Sequence, residues 1–420
     1  MSETLEWRDL FSRGLDVVDP EIANLIADQR RQNRALVNLV ASESYAPIAT
    51  IEAEASELVN KNASGYPPRI SFGGGRIIDE IERIAVGRAR SLFGAEYANV
   101  QALSSTIANI AVLRALLRPG DRILAFSMAS GGHTSHGHRS HISGQDYDVR
   151  TFGTRSDDGV VDYGEARRIA AQFRPQMIIA GSSSYPRALD FSELADIARA
   201  SGALLFADIA HVVGLVIAGL HPNPTSLSAV VTTSTHKTLC GPRTGGLILA
   251  KAVHGAALDT AVSPVLQAAP GAHIMAARAV LFRLASQPGF TALMQCIVAN
   301  AKALADGLTG AGMQLFAGGT DTHMVVLDLR SSNWNEAELN ECLEEHGLVA
   351  NTTHLPRRAD GDGRLGLRLG TTPMSIRGVD AARFEELGRD VATILTDKSS
   401  PGAKRRISAL ANSFPPPYYG

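Results

Sequence analysis

Five short apolar runs recur through the middle of this chain, Arg122–Phe126, Met177–Ala180, Ala203–Phe206, Ala229–Val231 and Gly246–Ala250, with helix-patterned segments such as Leu194–Ala200 between some of them. Gly, Pro or Asp closes each one. Alternation of this kind implies an α/β fold: a mostly parallel sheet covered by helices, with ligands at the carboxyl ends of the strands. Ile77, Ile81, Ile84, Ala85 and Leu92 fall at helical spacing and stop at Gly94, predicting an amphipathic helix over 77–93. From about residue 300 the pattern becomes a long helix, a strand at Met324–Leu329 and further helices. The expected division is an N-terminal segment (1–75), a large domain (76–300) and a smaller α+β domain (301–420), which part of the N-terminal segment joins.

Asp208, His211 and Lys237 lie at or just beyond the ends of such strands. Lys237 follows Val-Val-Thr-Thr-Ser-Thr-His, about one strand and turn after Phe-Ala-Asp-Ile-Ala-His at 206–211. A lysine ending an apolar strand among small hydroxyl residues, downstream of a buried aspartate, is what pyridoxal 5'-phosphate chemistry needs. The lysine forms a Schiff base with the cofactor aldehyde, and the aspartate keeps the ring nitrogen protonated so that the ring can accept electrons.

The 420 residues, 45% hydrophobic with a net charge of −2, describe an ordinary globular chain of one large and one smaller domain. Nucleic acid is not an expected partner, because phosphate backbones call for a basic surface. No apolar stretch is long enough to span a bilayer, the acidic start carries no signal peptide, and Cys240, Cys296 and Cys342 read as reduced thiols. The expected location is the cytoplasm. His133, His136, His138 and His141 have a spacing that suits zinc, but no cysteine or acidic partner lies near, and no metal is expected.

Seven stretches carry a resemblance that runs along most of the chain: Leu-Val-Ala-Ser-Glu-Ser-Tyr (39–45), Asn-Lys-Asn-Ala-Ser-Gly-Tyr-Pro (60–67), Leu-Phe-Gly-Ala-Glu-Tyr-Ala-Asn-Val-Gln (92–101), Gly-Gly-His-Thr-Ser-His-Gly (131–137), Asp-Ile-Ala-His-Val-Val-Gly-Leu (208–215), Thr-His-Lys-Thr-Leu-Cys-Gly-Pro-Arg (235–243) and Ala-Gly-Gly-Thr-Asp-Thr-His (317–323). In this order they resemble the serine hydroxymethyltransferase family. The resemblance implies a fold-type I (aspartate aminotransferase-like) large domain, an amino acid substrate, and a homodimer with shared active sites. It implies Lys237 as the Schiff-base lysine, Asp208 as partner of the ring nitrogen, His211 near the ring hydroxyl and His133 stacked on the ring. Ser104, Ser105 and Thr106, at a helix start, would cradle the phosphate, with Ser183, Ser234 and His236 among the cofactor contacts. Arg368 would grip the substrate carboxylate, supported by Ser42.

The departures from the family's pattern point elsewhere. Asn62 and Ser64 stand in place of a tyrosine and of the glutamate that serves proton transfer and the folate reaction, and Ser71 and Phe72 in place of paired tyrosines. Residues 263–270 read Ser-Pro-Val-Leu-Gln-Ala-Ala-Pro where the family has a glycine-rich stretch. Losing a positioned acid/base removes about 10²–10⁴-fold of rate. With Asn62, Ser64 and Phe72 lining the substrate site, the expected reaction is therefore folate-independent. It is β-elimination or decarboxylation with oxidative deamination of an S-linked cysteine conjugate, as in lincosamide antibiotic biosynthesis. The alternatives are serine hydroxymethyltransferase or threonine aldolase/transaldolase activity, and a protein that holds the cofactor without turnover.

Overall fold

The computed structural model describes residues 7–69, 73–243, 245–357 and 363–418. A seven-stranded sheet forms its centre: β1 (Tyr97–Asn99), β2 (Arg122–Phe126), β3 (Asp148–Phe152), β4 (Met177–Gly181), β5 (Leu204–Asp208), β6 (Val230–Ser234) and β7 (Gly246–Ala250). The spatial order is β1-β7-β6-β5-β4-β2-β3. Strands β2 to β6 pair in parallel. The sheet is nevertheless mixed, because β7 runs antiparallel to both β6 and β1. Residues 235–245 alone join β6 to β7, too few for a parallel crossover, which takes about a dozen residues or more. Strands β4, β6 and β7 are buried at every position, as strands covered by helices on both faces must be.

The helix foreseen over 77–93 spans Arg76–Phe93 and turns Ile78, Ala85, Ala89 and Phe93 inward. It stops where Gly94 takes a left-handed conformation (φ 66°), which a residue without a Cβ adopts at little cost. A second hydrophobic core lies around a three-stranded antiparallel sheet of β8 (Met324–Asp328), β9 (Asn351–His354) and β10 (Leu365–Gly370), in the order β9-β10-β8. Val37 and Leu39 of the N-terminal segment are buried in this core, and Val37–Asn38 pairs with Leu348–Val349. The segment 39–42 is thereby drawn across to β10, where Gly370 N–H donates to Leu39 O at 2.7 Å. Among the described residues no helix is long and apolar enough to cross a membrane.

One side chain ties the two ends of the chain together. The Arg377 guanidinium donates to Leu36 O (2.7 Å) and Asn33 O (3.3 Å) at the end of the Pro20–Ala35 helix. It also donates to Ala411 O (2.6 Å) and Phe414 O at the end of the Pro401–Ser413 helix. A cation is favourable at a helix C-terminus, and here it meets two at once. Arg377→Ala would strip these carbonyls of their donor in a buried place, so denaturant titration is expected to show a loss of about 3 kcal/mol. Arg377→Lys keeps the charge but not the fork, and is expected to recover about half.

Candidate active site

The parallel pairing of β5 with β6 sets Asp208 opposite Thr232, and the turn after β6 brings Lys237 back over the same strand ends. Both side chains are nearly inaccessible, at 8% and 9% exposure. Burial alone would raise the Asp208 carboxyl, but the hydrogen bond from His136, with the neighbouring imidazoles and the Lys237 ammonium, holds it far below its usual range. Its Oδ2 accepts from Asn109 Nδ2 (2.8 Å) and His136 Nε2 (2.9 Å), and its Oδ1 from Ala210 N–H (3.0 Å). Gly181, on β4 beside Asp208, leaves room for this. A Cβ there would come within 2.6 Å of Asp208 O and 3.1 Å of the His136 ring.

Burial lowers the Lys237 ammonium to about 8, against the pull of the Asp208 carboxylate. In the cofactor-free protein the neutral amine, which is the nucleophile, therefore predominates above about pH 8. The rate of pyridoxal phosphate uptake, followed by absorbance, is expected to rise with pH up to about 8 and then level off. An unburied lysine would keep gaining rate toward its ordinary value of 10.5.

The run of histidines is built from a repeated turn. Nδ1 of His133, His138 and His141 each accepts from the backbone N–H two residues on and lies 2.7–2.8 Å from that serine's hydroxyl. Only His136 reaches Asp208. Burial, with the neighbouring His136, lowers His133 to about 4, so it is neutral. His211 is stacked on His323 (centroids 5.7 Å, planes 21° apart), and burial first, then Lys237 and Arg368, pushes it well below its ordinary value. His323 Nε2 donates to Ala41 O at 3.1 Å, which places Ser42 next to this stack in sequence.

Arg368, on β10, donates to Ser183 O (2.7 Å) and Asn351 Oδ1 (3.1 Å). Its buried Nε has no partner and, among the described residues, no carboxylate pairs with it. Burial lowers it to about 10, so it remains a cation. Ser183 thus contributes its carbonyl to the arginine, and the Ser234 hydroxyl points to Ala210 O at 3.5 Å. Burial lowers His236 to about 4, and its Nδ1 has no partner. Ser104 caps the Ser105–Leu116 helix by accepting from Ile107 N–H (3.1 Å), so the first-turn N–H groups of Ser105 and Thr106 have no partner inside the helix. Gly246 lets that loop approach, since a Cβ there would lie 2.2 Å from Ser104 O.

An anion cradle, a buried lysine, an ionised aspartate and partnerless imidazole and guanidinium nitrogens are the donor set that pyridoxal phosphate and an amino acid carboxylate require. The residues present fit the cofactor. Ser64 and Asn62 are not gathered in. Both are exposed, and no hydrogen bond among the described residues joins either to Lys237. Phe72 lies outside the described residues. Sequence reasoning missed Asn109, Ser135 and Ser44, whose hydroxyl bonds His236 O at 2.7 Å. The signal for Asn109 was available, as an amide in the apolar helix Ile-Ala-Asn-Ile-Ala-Val.

A family model described as serine hydroxymethyltransferase matches residues 15–391. The chain is 40% identical over 412 residues to a serine hydroxymethyltransferase of Acidobacterium capsulatum, covering 97% of this chain and 96% of that protein. It is 40% identical over 402 residues to serine hydroxymethyltransferase 1 of Pseudomonas fluorescens (94% and 97% covered), and 38% identical over 408 residues to that of Myxococcus xanthus (96% and 97%). This corrects the expectation of a cysteine-conjugate lyase or deaminase of lincosamide biosynthesis. Likeness at this level, end to end with proteins named for hydroxymethyl transfer, outweighs substitutions at a few positions. Enzymes of this kind depend on pyridoxal phosphate, and by whole-length match and site alike the chain belongs to the serine hydroxymethyltransferase family.

Proposed function

We propose that the protein transfers a hydroxymethyl group between serine and a folate acceptor, the reaction for which its relatives are named. The observation that carries the reading beyond the names is Arg368. This buried cation has a free Nε–H and no carboxylate partner among the described residues, in one site with Lys237 and Asp208. It is matched to an α-carboxylate, which it would hold by a charge-assisted pair, with Ser42 beside it. Bound pyridoxal phosphate supplies an electron sink for the pair left on the substrate's α-carbon. Ser104, Ser105 and Thr106 would hold the phosphate. Asp208, an anion throughout the working range, would keep the proton on the ring nitrogen. His133 would offer a neutral flat face, and His211 would stand near the ring hydroxyl. Lys237, with its ammonium lowered to about 8, can carry a proton at Nζ in either direction near neutral pH.

A second reading is favoured by Ser64, an exposed hydroxyl where the resembling enzymes carry glutamate. It is folate-independent cleavage of a threonine-like β-hydroxy amino acid. Purified protein is to be given serine with and without tetrahydrofolate, and threonine alone, with glycine identified by mass. Glycine from serine that requires tetrahydrofolate supports the first reading, and glycine from threonine alone supports the second. No glycine from either would sink both.

We further infer a homodimer with shared sites, supported by exposed Trp7, Leu10, Phe11 and Leu25 on the N-terminal segment, an apolar face suited to a second copy. The division at about residues 75 and 300 is supported by the two cores. Three free cysteines support a cytoplasmic location.

A further inference from the structure

Asn109 sits in the Ser105–Leu116 helix at 1% exposure, among buried Ala108, Ala111, Val112 and Leu113. An amide in such a place is costly unless all of it is satisfied. Here it is. Its Oδ1 accepts from Thr232 Oγ1 at 2.6 Å, and its Nδ2 donates to Asp208 Oδ2 at 2.8 Å and to Ser135 Oγ at 2.9 Å. Ser135 Oγ in turn lies 2.7 Å from His133 Nδ1.

The direction of every bond in this chain is determined. An ionised Asp208 can only accept, so the NH₂ end of Asn109 must face it. The oxygen end then faces Thr232, whose hydroxyl has to donate. Ser135 Oγ, accepting from Asn109, has its own proton left for His133 Nδ1, which already accepts from Ser135 N–H at 3.2 Å. His133 is thereby held in the tautomer that carries its proton on Nε2. The Asp208 carboxylate and the His133 imidazole, which would face the ring nitrogen and the ring of a bound cofactor, are thus tied to one amide, from residues far apart in the chain.

We propose that Asn109 is a positioning residue for the cofactor site, orienting Asp208 and His133 together, and that the Thr232 hydroxyl anchors the oxygen end of the amide. The proposal rests on the family's cofactor and not on which amino acid is turned over. Without the Thr232 hydroxyl the amide oxygen is left buried without a donor, and the amide loses the contact that anchors it between Asp208 and Ser135. Slacker donation from Nδ2 would favour protonation of Asp208 and weaken its hold on a ring nitrogen placed there.

The test compares holoprotein of the parent, Thr232→Val, Thr232→Ser and Ser135→Ala. The readouts are the equilibrium dissociation constant for pyridoxal phosphate and the pH profile of bound-cofactor absorbance. Valine matches threonine in shape but cannot donate. Thr232→Val is expected to weaken cofactor binding about tenfold and to give an absorbance that changes with pH where the parent's is flat, and Thr232→Ser is expected to restore both. Ser135→Ala cuts the His133 branch and leaves the Asn109 bonds to Asp208 and Thr232 in place. It is expected to keep the parent's absorbance profile while raising KM for the amino acid about fivefold, a split that general loosening of the fold would not produce. A parental profile and affinity in Thr232→Val, or equal losses in the serine and valine variants, would overturn the proposal. Should Thr232→Val not accumulate as folded protein, a pH-dependent absorbance in Ser135→Ala would overturn it on its own. A protein that binds cofactor normally but makes no glycine bears on the proposed reaction and leaves these readouts intact.

Discussion

Lys237→Ala is expected to reduce kcat by about 10⁴-fold and to leave a protein from which the cofactor can be dialysed away. Two functions go at once, the covalent hold on the cofactor and the proton carried at Nζ. No other lysine can stand in. The chain has five more, Lys61, Lys251, Lys302, Lys398 and Lys404, and none is buried. Lys237 is therefore the one whose ammonium is lowered into the range where a neutral amine is abundant. Hydride reduction of the holoprotein followed by peptide mass mapping should place the cofactor on Lys237. A labelled peptide from any other lysine, or covalent cofactor surviving in Lys237→Ala, would show that the site has been misassigned.

Asp208→Asn is expected to cost about 10²–10³-fold in kcat with the side chain's size unchanged. What disappears is the charge. A neutral amide cannot hold a proton on the ring nitrogen, and one end of it would present an N–H to the donors from Asn109 and His136. The pH dependence has a definite sign. Because the folded-state value lies below the ordinary carboxylate range, Asp208 stabilises the fold at neutral pH, and that contribution is lost only as pH falls below the usual value of 3.8. The variant should therefore be less stable than the parent at neutral pH, and the gap should narrow on acidification. Thermal unfolding at several pH values checks this, and a gap that widens in acid would contradict the assignment of Asp208 as an anion.

Much of this was legible because it is local. Apolar runs bounded by turn residues announced β2, β4, β5, β6 and β7, and Lys237 and Asp208 stood at their ends. The direction of β7 was not written in its residues. It follows from the length of the connection before it. Nor was the support beneath Asp208, since Asn109 and His136 lie 99 and 72 residues away in sequence and meet it only when β5, the 105–116 helix and the 134–136 turn are assembled. His136 was noticed as a possible metal ligand, and spacing alone could not reveal that its neighbours spend Nδ1 on serine turns. The reaction was misread for a different reason. Asn62, Ser64 and Phe72, three substitutions, were given more weight than a likeness that runs the length of the chain.

Arg377 also sets a timetable for biosynthesis. The carbonyl of Asn33 is 344 positions upstream of the guanidinium that caps it, and at translation rates of about 5–20 residues per second it is made roughly 20–70 s earlier. Through that interval the first long helix emerges from the ribosome without its final anchor. Its last turn can be tied down only after residue 377 appears, and Arg377 itself is fully engaged only once Ala411 and Phe414 follow. The two ends of the chain are therefore joined only in the last moments of its synthesis, and for most of that period the first long helix keeps an open C-terminal turn.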